Sequence, residues 1–219
     1  MQHTMDLSEQ RAWWDGAAKE NAATAVLSNN ARWNLKEFYA SGVNWFDEVR
    51  QFASSNGVDL KGKRALDFGS GLGRMTAAIA SYYDEVDGAD ISSEMVKQAS
   101  DNLADTAKPP QFHVVDSYPL PFPDDTFDLV FSTIVVQHIS APHNLAYVDE
   151  FFRVCRPGGF VLFDAPDYLT STQDLGPGIF LCPRDEVMRL AARRGAKPIG
   201  QRDFPATATQ HWQYLFRKD

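Results

Sequence analysis

The sequence predicts an α/β fold, doubly wound around a mainly parallel sheet, and three features of the chain lead to this prediction. From residue 63 onward, short apolar runs alternate with segments whose apolar residues recur at helical spacing. The run FDLVFSTIVV, residues 127–136, is apolar on both faces, as a central strand of a parallel sheet is. A glycine-rich stretch joins the first strand to the helix after it. Alternation of this kind favours parallel strands with helices on both faces of one sheet.

The elements follow one another in a regular order along the chain. The predicted helices span residues 10–27, 31–55, 73–83, 92–104, 143–155 and 184–195. The predicted strands span residues 64–68, 85–90, 111–116, 127–136, 160–166, 197–204 and 211–218. The apolar residues that recur at helical spacing in the second helix are Phe38, Val43, Phe46, Val49 and Phe52. A turn is expected at residues 28–30, and Ser92 or Ser93 is expected to cap the fourth helix.

The composition is that of a globular protein with an acidic charge balance. The 219 residues include 21 Lys and Arg against 29 Asp and Glu, a formal net charge of −8, and no basic run favours a nucleic-acid partner. The N-terminal residues lack the apolar core of a secretory signal, and no run approaches the ~18 apolar residues of a membrane span. We therefore expect a cytoplasmic protein without a membrane partner. The two cysteines lack metal-ligand spacing, so no metal site is predicted; Cys155 is expected inside a helix and Cys182 in a loop.

The stretch RALDFGSGLGR, residues 64–74, carries the strongest functional signal. Asp67 lies near the end of the strand, and Gly69, Gly71 and Gly73 follow at alternate positions. The dinucleotide fingerprint is G-x-G-x-x-G, whereas Arg74 occupies its last position here. Glycines let the backbone approach a ligand, and the exposed amides of the next helix favour a negative group. Because ligands of open α/β sheets bind at the carboxyl ends of the strands, we expect a ligand at this turn.

With these residues the sequence resembles the class I S-adenosylmethionine-dependent methyltransferases, especially the type 11 group that acts on small molecules. The resemblance is close from residue 63 to about residue 164 and rests on five blocks in register. The blocks are ALDFGSGLGR, GADISSEMV, VVDSYPLPFPDDTFDLVFS, VVQHI and EFFRVCRPGGFVLF. The resemblance implies a Rossmann-like fold of seven strands with an antiparallel last strand and an N-terminal helical lid. Asp87 departs from the family, which usually has an apolar residue at this place in the second strand.

The resemblance implies S-adenosyl-L-methionine as cofactor, with S-adenosyl-L-homocysteine as product, and it gives several residues a role. Asp90 closes the second strand about 20 residues beyond the glycines, where a carboxylate can accept both ribose hydroxyls. Asp116 and the backbone after it would bind the adenine edge, while Ser132 and Thr133 would line the methionine portion. The predicted cofactor-binding residues are Asp67, Gly69, Ser70, Gly71, Arg74, Asp90, Ile91, Met95, Asp116, Ser117, Tyr118, Ser132 and Thr133.

For two of the predicted cofactor-binding residues, Arg74 and Asp67, the sequence also allows another role. The Gly69 carbonyl and Asp67 would bind the cofactor's ammonium group, and Ile91 would pack on the adenine. Arg74 either binds the carboxylate of the cofactor or lies on the surface, and the sequence leaves both alternatives open. Asp67 could instead have a structural role at the end of the strand, where its carboxylate would accept hydrogen bonds from the amides of the loop.

Methyl transfer requires an acceptor atom aligned with an activated methyl group and, for some acceptors, a base. His138, in the segment after the fourth strand, is the candidate base, because histidine accepts a proton near neutral pH. Its alternative role is to cap the following helix or to bind a loop carbonyl. The residues predicted to bind substrate are Trp13, Trp14, Tyr39, Gln137, Asp164 and Tyr168, with His211 a weaker candidate. Asp164 is expected to end the fifth strand at the mouth of a cleft, and the Gly176–Pro177–Gly178 turn is expected to act as a hinge.

Together these features predict an enzyme that transfers a methyl group to an O or N atom of a small-molecule acceptor. Residues 1–60 are predicted to form a lid that binds substrate, residues 61–219 the catalytic core, and the protein a monomer or homodimer. One alternative is a protein of the same fold that binds the cofactor but catalyses a rearrangement or serves as a partner subunit. An NAD-dependent oxidoreductase is less favoured, because the third glycine of the fingerprint is missing.

Overall fold

The computed structural model describes residues 6–27, 33–170, 178–204 and 209–219, and its strands form a seven-stranded sheet in the order β3-β2-β1-β4-β5-β7-β6. The helices are α1 (Leu7–Leu27), α2 (Leu35–Ser55), α3 (Arg74–Ile79), α4 (Ser93–Leu103), α5 (His143–Val154) and α6 (Arg184–Arg193). The strands are β1 (Gly62–Phe68), β2 (Tyr83–Asp90), β3 (Gln111–Val114), β4 (Phe127–Ser132), β5 (Cys155–Leu169), β6 (Ala196–Asp203) and β7 (Thr209–Lys218). The predicted α/β class and Rossmann-like sheet are confirmed. The turn predicted at residues 28–30, and Gly176 and Pro177 of the predicted hinge, lie outside the described residues.

The chain divides into two compact units, of which the N-terminal unit spans Leu7–Asp116. Its three strands are parallel, with β1 paired to β2 and β2 paired to β3. Asp87, the departure noted in β2, is a buried residue whose carboxylate accepts hydrogen bonds from Arg64 Nε at 2.8 Å and from His113 Nε2 at 2.7 Å. An acid is tolerated in this strand because neighbouring strands supply cationic or hydrogen-bonding partners.

The two N-terminal helices belong to this unit, and both differ in detail from the prediction. Helix α1 contains a kink at Asn21, whose side chain accepts a hydrogen bond from Thr24 N at 3.1 Å and so caps the segment that follows. In α2 the predicted apolar face is buried except at Val43, whose side chain is 46% exposed. Helix α4 is capped by Ser92, whose hydroxyl accepts from Met95 N at 3.1 Å, so the cap is Ser92 rather than Ser93.

The C-terminal unit contains the remaining strands and spans Ser117–Asp219. Strands β4 and β5 are parallel, whereas β7 is antiparallel to both β5 and β6, which confirms the predicted antiparallel last strand. The strand predicted over residues 127–136 is too long, because β4 ends at Ser132 and a 3-10 turn follows at Val136–His138. Between them Ile134 has the left-handed φ of 59°, which no regular strand accommodates.

Strand β5 begins and ends outside the predicted range. It starts at Cys155, which was expected inside α5, and it continues to Leu169. Asp164 therefore lies within the strand rather than at its end. Cys155 and Cys182 are both buried and free of disulfides.

Candidate active site

The glycine turn after β1 has the geometry that requires glycine. Gly69, Gly71 and Gly73 have φ values of 76°, 52° and 78°, and Gly73 caps the N-terminus of α3. A Cβ atom at Gly71 would lie 2.8 Å from Val26 Cγ2, and one at Gly73 would lie 2.8 Å from Leu103 Cδ1. Both the left-handed backbone and the close packing therefore exclude larger residues from this turn.

Asp67 lies in β1, immediately before the turn, and its carboxyl group is buried. Thr76 Oγ1 donates a hydrogen bond of 2.6 Å to Asp67 Oδ2. Burial raises the pKa of Asp67 to about 7, against the opposing effect of the Thr76 hydrogen bond. Arg74, at the start of α3, is also buried, which excludes the surface alternative, and burial lowers the pKa of its guanidinium.

Asp90 closes β2, and both of its carboxylate oxygens face backbone amides. Oδ2 accepts from Gly71 N at 2.7 Å, and Oδ1 accepts from Ser92 N at 2.9 Å. Burial raises the pKa of Asp90, while these two hydrogen bonds oppose the rise. The acid thus connects the glycine turn to the start of α4, which is the position expected for a group that binds the ribose of a nucleotide cofactor.

Helix α1 contacts the acids of this site directly. Arg11 Nη1 lies 2.7 Å from Asp116 Oδ2, so the acid after β3 is paired with a cation of α1. Asp15 accepts hydrogen bonds from Ser92 Oγ at 2.6 Å and from Glu94 N at 3.1 Å. Burial of Asp15 is outweighed by these hydrogen bonds, and its pKa is lowered. The sequence offered no signal for Asp15, because its partners lie about eighty residues away along the chain.

The other predicted residues of this unit surround the same turn. Tyr39 donates its hydroxyl to the Leu72 carbonyl at 2.9 Å, and Met95 and Leu72 belong to the apolar cluster that α1 covers. Ile91 is half-buried. Trp13 and Trp14 form an edge-to-face pair at 4.6 Å on α1, with Trp13 57% exposed.

Two buried polar atoms at the turn offer a test of whether a polar cofactor fits. Ser70 Oγ and Arg74 Nε are buried without a hydrogen-bond partner among the described residues. Buried polar atoms normally have partners, so unpaired ones beside a glycine turn are consistent with a ligand that completes them. The acids at the ends of β1, β2 and β3 and these donors fit a ligand that carries an ammonium, a carboxylate and a ribose.

In the C-terminal unit, the predicted residues gather where β4 ends. The hydroxyls of Ser132 and Thr133 are buried without a partner among the described residues. Ile134 N donates to both oxygens of Asp164, at 3.0 and 3.2 Å. His211 Nε2 lies 3.1 Å from Asp164 Oδ1, and both side chains are almost fully buried. Asp164, expected at the open mouth of a cleft, is instead a buried acid with two protein partners.

His138 ends the 3-10 turn after β4. Its Nδ1 lies 2.9 Å from the Gly178 carbonyl, and its Nε2 lies 3.0 Å from Gln137 Nε2. Since a carbonyl only accepts, Nδ1 carries the proton of the neutral ring, and Nε2 accepts from the Gln137 amide. Burial lowers the pKa of His138, so the neutral ring is favoured. The loop-carbonyl contact that the sequence left as an alternative is therefore present, and it leaves the lone pair on Nε2.

The remaining predicted residues are more exposed. Tyr118 is 42% exposed, and its hydroxyl lies 3.2 Å from His143 Nδ1. Ser117 is exposed, and Tyr168 is 53% exposed on β5 opposite Gln210 of β7. The predicted set is thus divided between a nucleotide-type site in the N-terminal unit and a histidine-containing site in the C-terminal unit.

Comparison with known proteins identifies the family. The model of the methyltransferase domain family, Methyltransf_11, matches residues 66–163, which include the glycine turn, Asp90, Asp116 and His138. Residues 66–163 form a methyltransferase domain, and their similarity is to the class I S-adenosylmethionine-dependent methyltransferases. The family prediction made from the sequence blocks is confirmed, and so is the cofactor, S-adenosylmethionine, at the level of this family.

One relative and two solved structures illustrate the similarity. A phosphatidylethanolamine N-methyltransferase from Cereibacter sphaeroides is 31% identical over 140 residues, 63% of this chain and 66% of that protein. Magnesium protoporphyrin IX methyltransferase from Synechocystis, with bound S-adenosylhomocysteine, has a TM-score of 0.73 at 14% identity and covers 98% of this chain and 100% of its own. The 4+2 cyclase SpnF also has a TM-score of 0.73, at 15% identity, with 98% and 97% covered. The chain spans about half to two thirds of the length of the first curated relatives it matches.

Proposed function

We propose that this methyltransferase transfers the methyl group of S-adenosylmethionine to an O or N atom of a small-molecule acceptor. The observation that carries the proposal is a set of three acids along neighbouring parallel strands, one near the end of β1, one at the end of β2 and one two residues after β3, of which the second is bonded to the glycine turn. Asp67, Asp90 and Asp116 would bind the ammonium, the ribose and the adenine of one cofactor. The cofactor supplies an activated sulfonium methyl group when bound.

The chain's own residues would hold the cofactor through complementary charges and hydrogen bonds. Asp90 is fixed by the amides of Gly71 and Ser92, so its carboxylate needs little reorganisation to accept ribose hydroxyls. The buried guanidinium of Arg74 is suited to the carboxylate of the methionine portion. Asp116 would exchange its contact with Arg11 for the adenine edge, which makes α1 part of the binding event.

His138 is the general base of the proposal for acceptors that lose a proton. Its Nδ1–H is held by the Gly178 carbonyl, and its lowered pKa keeps the ring neutral near pH 7. The proton that the acceptor's hydroxyl or amino group loses would move to His138 Nε2, and the hydrogen bond from the Gln137 amide to that nitrogen would be broken. Trp13, Trp14, Tyr39 and Tyr168 are proposed to contact the acceptor.

The relative from Cereibacter sphaeroides, a phosphatidylethanolamine N-methyltransferase, supports a nitrogen acceptor. The similarity of fold to a 4+2 cyclase supports a second candidate function, which is that the chain binds the cofactor but catalyses a rearrangement. No helix among the described residues is long and apolar enough to span a membrane. A cytoplasmic location, a small-molecule partner and a monomeric or dimeric state remain parts of the proposal.

Calorimetric titration tests which cofactor binds, with S-adenosylmethionine, S-adenosylhomocysteine and NAD as the ligands. Methyl transfer is tested by measuring the S-adenosylhomocysteine formed in the presence of each member of a panel of amines, phenols and carboxylic acids. Asp90→Ala should weaken cofactor binding at least about 100-fold, because it removes two charge-assisted hydrogen bonds. Asp101→Ala removes an exposed acid of α4 that pairs with Lys97 and is the matched control. Equal cofactor affinity in the two variants, or binding of NAD alone, would refute the proposal.

A further inference from the structure

Asp164 is a buried carboxylate of β5 that connects two other parts of the C-terminal unit. It accepts hydrogen bonds from Ile134 N, after β4, and from His211 Nε2, on β7. The side chains of Asp164 and His211 are 0% and 2% exposed. A buried charge requires such compensation, so the ionised acid depends on both donors. Since a carboxylate oxygen only accepts, Nε2 of His211 carries the proton of this hydrogen bond.

The contact with Ile134 fixes a turn that is unfavourable by itself. Ile134 is β-branched and has a φ of 59°, a left-handed conformation that is unfavourable for such residues. Both oxygens of Asp164 receive its amide and hold the backbone in that conformation. The turn begins with Ser132 and Thr133 and leads directly to the 3-10 turn that ends at His138. The acid therefore determines the path of the chain into the candidate base.

The same acid also acts on His138 through its charge. The titratable groups that act on the ring are Asp164 of β5 and His211 of β7. Burial lowers the pKa of His138 most strongly, the hydrogen bond to the Gly178 carbonyl and then the Asp164 charge raise it, and His211 lowers it. The ring's hydrogen bonds to the Gly178 carbonyl and the Gln137 amide involve neutral groups. Of these neighbours, Asp164 is the one that carries a negative charge, and it would add to the effect of the Gly178 carbonyl in stabilising a proton arriving on Nε2.

We propose that Asp164, held in place by His211, is the positioning residue of the general base His138. It fixes the turn that leads to His138 and supplies the negative charge that stabilises the imidazolium. The inference rests on the proposed function. As the acceptor atom forms its bond to the methyl group, the sulfonium–methyl bond would break and S-adenosylhomocysteine would be left as product. The acceptor's proton would move to His138 Nε2 and from there to solvent, while Asp164 remains the negative charge that stabilises the imidazolium.

Asp164→Asn tests this role, because it removes the charge at nearly constant volume. Asp167→Asn is the matched control: Asp167 lies three residues further along β5 and accepts from Arg184 N and Trp212 Nε1, not from Ile134 or His211. The readout that does not depend on turnover is the pKa of the His138 imidazole, followed by NMR and assigned with His138→Gln. We expect this pKa to fall by about half a unit or more in Asp164→Asn and to change little in Asp167→Asn.

Activity gives a second readout with a distinct signature. In Asp164→Asn, kcat should fall about 10- to 100-fold, and the acid limb of the pH profile should move to lower pH. The affinity for S-adenosylmethionine should fall by less than kcat does, because the Asp164 side chain bonds to Ile134 N and His211 and to none of the predicted cofactor-binding residues. A purely structural role of Asp164 would lower the melting temperature without moving the acid limb.

The outcomes separate this inference from the proposed function. An unchanged His138 pKa in Asp164→Asn, or the same shift in Asp167→Asn, would overturn the inference. If Asp164→Asn fails to fold, two variants of His211 replace it. His211→Gln keeps a hydrogen-bond donor for Asp164, whereas His211→Leu removes it. The inference then requires that the His138 pKa be lower in His211→Leu than in His211→Gln. A shifted pKa together with no transfer to any acceptor by the wild-type protein would refute the proposed function and still support the link between Asp164 and His138.

Discussion

Lowering the pH should weaken the binding of S-adenosylmethionine, because Asp67 must be ionised to attract the ammonium group. Burial raises the pKa of Asp67 to about 7, so the acid is largely protonated at pH 6.0 and largely ionised at pH 7.5. If only the ionised form binds tightly, the dissociation constant scales as one plus the proton concentration divided by the acid constant. The affinity should then fall about eight-fold between pH 7.5 and pH 6.0, which is ~1.3 kcal/mol.

Isothermal titration calorimetry at the two pH values measures this change. Titrations in buffers of different ionisation enthalpy should also show that the protein releases protons on binding at pH 6.0. Asp67→Asn should bind more weakly and with no such pH dependence, while Asp101→Asn, an exposed acid, should behave as the wild type. Affinities equal within two-fold at both pH values, or a pH dependence that survives in Asp67→Asn, would refute the assignment of Asp67 to the ammonium.

Three further predictions concern stability, α1 and turnover. Asp87→Ala leaves Arg64 and His113 without their buried acceptor and should lower the free energy of unfolding by about 3 kcal/mol in urea at pH 7. Burial raises the pKa of Asp87, but its hydrogen bonds to His113 and Arg64 outweigh burial and lower it. The wild-type advantage should therefore be complete above about pH 3.8 and should decline as the pH falls below 3.8 through the lowered pKa of the folded state, whereas a difference that stays constant with pH would contradict this. Asp15→Ala removes the acceptor at the start of α4 and should lower the free energy of unfolding by about 1 kcal/mol and speed amide hydrogen exchange in α1. Glu9→Ala, a change on the same helix, is the control, and equally fast exchange in the two variants would contradict this prediction. His138→Gln should lower kcat about 100-fold with the cofactor affinity retained, and full turnover with an acceptor that must lose a proton would exclude the base.

Much of the nucleotide-type site could be predicted from local sequence. The acids Asp67 and Asp90 directly precede turns at strand ends, and strand ends of a parallel sheet meet along one edge. Gly71 and Gly73 indicated the turn because its left-handed backbone and close packing leave no room for a residue with a larger side chain. Ser92 was predictable as a cap because the helix after it has a clear apolar face.

The sequence was less informative where distant contacts override local preference. An apolar run predicted strand through residue 136, but Ile134 adopts a left-handed turn that is held by Asp164. Burial of Asp164 also depends on β7, whose partner position could not be known from β5 alone. In the same way, Asp15 acquires its role from α4, and no pattern near residue 15 indicates a distant helix N-terminus.

The two cysteines have a practical consequence for observing α1. Cys155 and Cys182 are fully buried, and burial raises the pKa of each thiol to about 12. At pH 7.5 the reactive thiolate fraction of each is on the order of 10⁻⁵, whereas an unperturbed thiol is about one tenth ionised. A single cysteine placed at the exposed position of Glu20 on α1 could therefore be labelled selectively with a maleimide dye in the otherwise natural chain. Fluorescence from that position would follow α1 as ligands are added, without a cysteine-free background.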